Sequence, residues 1–587
     1  MKLSKKLLAL FLVIAMLASL ATVLSGCGDN GDATEPSNTE PKPTSGVDAS
    51  GEDTIGASID LRSTADPSNP ETDPYGRYEE TVTFTTVRQL DVGANFPEGM
   101  DVLSNPIVDR VQETLNVEME LLWQSADYST KLDMCLINND LPDVFWVDNY
   151  LTYQELLESD LLEPLTDAFR SCAGEYMRDC YSSFGGEIFE PYISDGELYA
   201  LPSTYNGYQH CLLWIRKDWL DALGLEAPTT RDELVNVAKQ FMEKDPGGNG
   251  AGNTIGIAVQ STPLGSSSNS FGLDAIMATF GSYPQQWIYN ENGKVVYGSI
   301  TDETKAGLAY LAQLYADGII DPQFATRDYS DVMGMMATGK CGICFYPWNL
   351  PYSASDFPIN CPNGEWLVLE APVNDAGEFT YLSNRTDNGI LCVRKGYEHP
   401  EVVIKIANVE FDMWRGFDVE GYEMCQPLLE AGTTWTAPMM TGHFNLEYDD
   451  AVIRIGELSK NYIEMGIAPT NTTEYNMQMI ESAKRYFDSP SASDTEGWIM
   501  YTSRYIASNA IVKGVEIPAA YHYSTEGMTM FWTTLEKIED QYFMEVITGA
   551  NSIDNFDDFV AQWLSHRGPV ITGLNSTDLC HSVTALS

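Results

Sequence analysis

Between residues 80 and 147 the hydrophobic period of the sequence switches repeatedly, and that switching restricts the fold more than any other feature of the chain. Glu80-Thr81-Val82-Thr83-Phe84-Thr85-Thr86-Val87 alternates polar and β-branched or aromatic side chains, the two-residue period of a strand. A helical pattern follows over 106–115, alternation resumes over 116–122, a second helical pattern covers 128–138, and an apolar run at 144–147 reads as another strand. A β-α-β-α-β order predicts an α/β unit with helices packed on a largely parallel sheet, because parallel neighbours need a crossover long enough to hold a helix. Further helices are expected at 231–243, 301–316, 400–411 and 556–563, with single strands at 342–345 and 389–393 and no internal repeat. At 587 residues the chain is too long for one core, and roughly two to four folded units are expected.

The first 78 residues follow different rules. Lys2, Lys5 and Lys6 precede an apolar run over 7–24 that ends in Leu24-Ser25-Gly26-Cys27. This resembles a bacterial lipoprotein signal peptide with its lipobox, which implies removal of 1–26, acylation of Cys27 and a lipid anchor at the outer face of the cell membrane. An uncleaved spanning helix is the alternative, since 18 apolar residues nearly cross a bilayer. Residues 27–78 are rich in Gly, Ser, Thr, Pro, Asp and Glu, and with few apolar side chains to bury they read as a disordered acidic tether.

Charge excludes one class of partner. The formal net charge of −52 argues against nucleic acid, whose binding depends on Lys and Arg neutralising phosphates. The ten cysteines other than Cys27 are scattered, most within apolar runs, so free buried thiols are expected rather than a disulfide framework. Cys341 and Cys344 form a CxxC, but three residues apart on a strand they point to opposite faces, and no second CxxC completes a metal site. HExxH, GxSxG and the P-loop pattern are absent, so a non-enzyme is expected.

Several segments in colinear order are similar to those of extracellular solute-binding protein family 1, the carbohydrate-importer lipoproteins of Gram-positive bacteria. Asn139-Asp140-Leu141-Pro142-Asp143-Val144-Phe145-Trp146-Val147-Asp148 resembles the family segment that ends the third strand at the cleft rim. Asp195-Gly196-Glu197-Leu198-Tyr199-Ala200-Leu201-Pro202, followed by 213–220, resembles the first crossing between lobes. Pro228-Thr229-Thr230-Arg231-Asp232-Glu233-Leu234 looks like a helix start with its own cap, and Gly339-Lys340-Cys341-Gly342-Ile343-Cys344-Phe345-Tyr346-Pro347-Trp348 like a strand whose closing Trp lies against ligand. The resemblance covers roughly 79–568 and implies an α/β, two-lobe periplasmic-binding-protein-like fold with a hinge and an interlobe cleft. Lobe one is expected over 79–208 plus 372–416 and lobe two over 209–371 plus 417–568, with a tail at 569–587 that matches nothing. The implied protein is a monomer that passes a carbohydrate to separate ABC permease subunits.

A sugar site needs flat aromatic faces beside groups that exchange hydrogen bonds with hydroxyls. Trp146 with Asp148, Tyr205 with Asn206 and Tyr208, Trp348 with Asn349, and Arg385 with Asp387 fall at predicted strand ends or crossings, where α/β folds keep their ligands. Trp214 and Trp219 are expected in the core. The stretch 245–254 resembles the calcium loop of such lipoproteins, with Asp245, Asn249, the Ala251 carbonyl and Asn253 at ligand positions, but Gly247 and Gly256 stand where further oxygen ligands belong. Rival ligand classes are peptides or another small solute; sensing for a membrane kinase and glycoside hydrolysis are rival functions.

Overall fold

The computed structural model describes residues 58–566 except 91, 92, 186, 267, 383–388, 435, 471, 512, 513 and 522–525. The signal peptide, Cys27, Arg385, Asp387 and the tail at 569–587 therefore lie outside the described residues.

The switching stretch folds as its periods dictate. Strand β1 (Val82–Gln89), helix α1 (Pro106–Leu115), β2 (Val117–Ser125), α2 (Tyr128–Ile137) and β3 (Val144–Val147) follow one another. Asn105 caps α1 by accepting from the Ile107 and Val108 amides, and Asn116 ends it in the left-handed region at φ 61°. β1 lies parallel between β2 and β3. The sheet is completed by β9 (Ile390–Val393), antiparallel to β3, and then β4 (Ala200–Pro202), antiparallel to β9. Thus two distant returns of the chain close the edge that begins with β3.

A second sheet places β5 (Leu212–Arg216) between β6 (Ile343–Tyr346) and β7 (Trp366–Leu369), both antiparallel to it. β8 (Thr380–Leu382) pairs in parallel with β10 (Val515–Ile517), bringing Tyr381 opposite Glu516. Helix α3 (Arg231–Lys244) begins with the expected box: the Glu233 amide donates to Thr230 Oγ1 at 3.3 Å, while Glu233 Oε2 accepts from the Thr230 amide at 3.1 Å.

Apolar side chains collect by chain segment. One core draws on residues 61–201 and 390–446. Two others draw on 211–379 with 535–563 and on 212–368 with 452–511. Two expected boundaries differ from this packing. Cys425, Leu428, Met439, Phe444 and Leu446 belong to the first core, not to a second unit beginning at 417. They are held there because buried Arg88 donates to the Thr436 and Ala437 carbonyls at 3.0 and 3.1 Å, and Glu410 accepts from Met440 N and the Thr441 hydroxyl. The tether is also shorter than composition implied. Leu61 is fully buried, and Lys405 on helix α4 (Val402–Arg415), itself fully buried, donates to the Pro70 and Gly76 carbonyls, each at 2.6 Å. A buried ammonium has to find acceptors, and the proline-rich segment supplies them as backbone carbonyls.

All nine described cysteines are free. Cys341 and Cys344 are both fully buried, and burial pushes the Cys341 thiol up to about 12, which suits small apolar side chains rather than a redox pair. Trp214 and Trp219 are buried as expected.

Candidate ligand-binding site

The first candidate wall forms at the carboxyl ends of β1 and β3. Trp146 lines a small open cavity with Arg88, Gln89, Tyr128, Met440 and His443. Its indole lies 6.0 Å from the Tyr128 ring and 5.6 Å from the His443 ring. The Tyr128 hydroxyl donates to the Trp146 carbonyl at 2.8 Å, which ties the start of α2 to β3. Behind the indole lies Gly389, at φ +120°; a Cβ there would sit 1.9 Å from Trp146 Nε1, so only glycine lets β9 pass. Asp148 is exposed, accepting from the Ser129 hydroxyl and from Asn149 Nδ2 at 2.7 Å.

The second candidate wall forms where the chain leaves the first core. Residues 203–207 run along 445–449: the Thr204 amide donates to the Asn445 carbonyl at 2.9 Å, Asn445 Nδ2 to the Thr204 carbonyl at 2.7 Å, and the Gly207 amide to the Asp449 carbonyl at 2.7 Å. Gly207 cannot be larger, because a Cβ would meet Asp449 Oδ1 at 2.3 Å. Tyr205 is buried, Asn206 accepts from Gln209, and Tyr208 is half-buried. Two residues on, His210 is 2% exposed and stacks on Tyr381 at 3.9 Å between centroids, with planes 17° apart. Its Nε2 lies 3.5 Å from Glu370 Oε1. Tyr381 is brought there by β8, and Glu370 by the chain leaving β7. Burial, then the carboxylates of Asp449, Asp450, Glu516 and Glu370, push the Tyr208 hydroxyl up to about 12.

Trp348 leaves β6 past the start of β5. Since Tyr346 pairs with Leu212, the register carries Trp348 toward the same sheet end as His210. It is buried, its ring 4.2 Å from the Arg504 guanidinium and edge-on to Tyr352 at 6.0 Å, and Asn349 beside it is buried too. Arg504 sits in a π-helix, Tyr501–Ala507, and donates to the Tyr352 hydroxyl at 3.1 Å. So the expected residues fall into three groups: Trp146 and Asp148 on the first sheet, Tyr205, Asn206 and Tyr208 in the crossing, and Trp348 and Asn349 on the second sheet. Sequence reasoning missed Tyr128, His443, His210, Glu370, Tyr381, Asp449, Glu516 and Arg504. Of these, His210 had a signal, standing two residues after Tyr208 and just ahead of a strand.

The loop at 245–254 does not fit calcium. Asp245 Oδ1 accepts from the Asn249 amide at 2.9 Å and the Thr254 hydroxyl at 2.6 Å, and Oδ2 accepts from the Gly250 amide at 2.8 Å. Asn253 turns its Nδ2 inward to the Asn249 carbonyl at 3.0 Å. A Cβ at Gly247 would lie 2.4 Å from Trp219, and one at Gly256 would lie 2.3 Å from the Ile319 carbonyl, so neither position can carry a ligating side chain. Calcium wants six to eight oxygens; this loop spends its one carboxylate on its own hydrogen bonds.

A model of the family described as bacterial extracellular solute-binding protein matches residues 94–404, more than half of the chain. The chain belongs to that family. The matched span of this solute-binding protein contains Trp146, Tyr208, His210, Glu370 and Tyr381, whereas Asp449, Glu516 and Arg504 lie beyond it. The polygalacturonan/rhamnogalacturonan-binding protein YtcQ of Bacillus subtilis is 26% identical over 243 residues, 40% of this chain and 45% of the relative, so the chain spans under half the length of that relative. Two solved structures share the two-lobe α/β architecture of the periplasmic-binding-protein kind. One is an HMO-binding, ABC-transporter-associated solute-binding protein of Bifidobacterium longum infantis (TM-score 0.55, 15% identity, 86% of this chain and 97% of that one). The other is an EF-hand mutant of the S. pneumoniae ABC-transporter substrate-binding protein FusA with fructo-nystose (TM-score 0.53, 16% identity, 84% and 97%). Among the described residues, no helix is long and apolar enough to cross a membrane.

Proposed function

We propose that this solute-binding protein captures an oligosaccharide outside the cell and delivers it to the permease of an ABC importer, held to the membrane through acylated Cys27. The observation that carries this reading is the junction at 204–210, where Tyr208, Tyr381 and His210 present rings beside Glu370 and Asp449. Rings packed against the apolar faces of a sugar, with carboxylates accepting from its hydroxyls, meet both demands of that ligand class. Polygalacturonan, rhamnogalacturonan and fructo-nystose, named for the similar proteins, are all carbohydrates and support the same class.

In this reading the cores are two lobes, one from residues 58–203 and 389–449 and the other from 211–382 and 451–566. The chain crosses at 204–210 and near 450. A ligand that touches both lobes favours the closed state by its differential affinity, and that state is what a permease can distinguish. Differential scanning fluorimetry of the purified chain against oligosaccharides, amino acids and peptides tests the reading. A ligand at 100 times its Kd adds about 2.7 kcal/mol of native-state stability, enough to raise the midpoint. Stabilisation by oligosaccharides alone is expected; stabilisation by peptides or amino acids alone would sink the carbohydrate assignment.

A further inference from the structure

The junction that this function rests on also has a sign. Asp449 is nine-tenths buried, and its Oδ1 has no hydrogen-bond partner. His210 is deeper still, and neither ring nitrogen makes a hydrogen bond. Native proteins seldom leave such atoms unmatched, and two of them aimed into one group of side chains mark a place where an incoming molecule supplies the missing donors and acceptors. Glu370 lies 3.5 Å from His210 Nε2, Glu516 is paired opposite Tyr381, on which His210 stacks, and Asp450 adjoins Asp449. The cation that offsets Asp449 is Arg454, and Arg454 is bound to Asp450 at 2.5 Å and lies over the Tyr448 ring at 4.2 Å. Burial, then Asp450 and Glu516, push the Asp449 carboxyl well above the usual carboxylate range. A further negative charge entering this buried group of acids would meet repulsion strengthened by the low local dielectric.

We propose that His210, Glu370 and Asp449 set the ligand specificity of the junction, admitting hydroxyl-rich glycans that carry no carboxylate and rejecting uronic-acid chains. The hydroxyls of such a glycan donate to Glu370 and Asp449, its ring oxygens and hydroxyls accept from His210, and Tyr381 and Tyr208 cover its apolar faces. A uronate would place its carboxylate beside Glu370, Asp450 and Glu516, while Arg454, the cation that offsets Asp449, is already bound to Asp450.

The inference depends on the junction being the glycan site, so the test separates the two claims. Calorimetric titration of the purified chain would use a neutral panel (fructo-, gluco-, galacto-, manno- and xylo-oligosaccharides), a uronate panel (oligogalacturonate and oligoalginate) and an amine-bearing chitosan oligosaccharide. The expected result is binding within the neutral or amine-bearing set and at least a hundredfold weaker binding of every uronate. Uronate binding as tight as the best neutral glycan overturns the proposal while leaving the importer reading intact. Binding of no glycan at all overturns both. For the glycan that binds, Asp449→Asn and Glu370→Gln are each expected to weaken it at least tenfold with an unchanged far-ultraviolet dichroism spectrum and to narrow the gap to its uronate counterpart. Full affinity in both variants would show that the specificity lies elsewhere.

Discussion

The two candidate walls of the site are built in opposite ways. Around Trp146 the parts come mostly from one stretch of chain: Trp146 and Tyr128 are 18 residues apart, and the hydroxyl of one is bonded to the backbone of the other. Around His210 they come from everywhere. Glu370 reaches it from the end of β7, Tyr381 and Glu516 from the paired middles of β8 and β10, and Asp449 from the return at 445–449. The first wall is a by-product of the β-α-β unit and stands on one core. The second exists only when three cores are in place.

The sharpest way to break the first wall alone is Gly389→Val. A side chain there collides with the Trp146 indole and forces a β-branched residue into positive φ, costing about 3 kcal/mol or more. A melting point lowered by at least 5 °C is expected, and an unshifted one would show that β9 can move away from the indole.

Comparing Trp146→Ala with Tyr381→Ala measures how the walls share the ligand. Loss of either aromatic face is expected to weaken glycan binding about tenfold to a hundredfold, of order 1.4 to 3 kcal/mol. Equal losses in isothermal titration mean both walls grip; a loss confined to Tyr381→Ala would remove Trp146 from the site.

Titration compares the cores behind the walls. Burial raises Glu410 to about 7 and Asp412 to about 6 in the first, and Asp274 to about 7 and Glu539 to about 8 in the second. Each group holds a proton in the folded state that the unfolded chain releases near its ordinary pKa, between about 4 and 4.5. Their contribution is therefore fully present below that pH and is lost as pH rises through the folded values. The melting point is expected to fall between pH 5 and 8, with repulsion among the excess acids acting in the same direction. The Glu539→Gln variant should flatten the part of the fall above pH 7; an unchanged profile would argue that Glu539 is already ionised beside Tyr297 and Ser299.

The smallest expected effect is that of calcium. Millimolar calcium or a chelator should move the melting point by less than about 1 °C, because Asp245 is already satisfied by the Asn249 and Gly250 amides and the Thr254 hydroxyl. A clear rise with calcium would mean that the loop opens to bind it.

Much of the first wall was legible in the sequence. The switching period placed β1 to β3 within three residues, the Thr230 box announced α3, and Trp146 stood at a strand end where α/β folds keep ligands. The second wall was mostly illegible. Glu370, Asp449 and Glu516 are three acids among 85, with nothing local to distinguish them. The ordered stretch before β1 was missed for a related reason: composition weighs local apolar content, and those residues are held by distant groups, among them buried Lys405 and Asn408, more than three hundred positions away.

What the sequence by itself determined is what depends on neighbours along the chain: the parallel strand unit, the helix caps, the resemblance to the family, and the poverty of ligands in the loop at 245–254. What only the tertiary structure decided is which distant groups share one space. Side chains at 210, 370, 381 and 449 acquire a common environment when the sheets close on one another, and burial and electrostatic repulsion among them are properties of that closure.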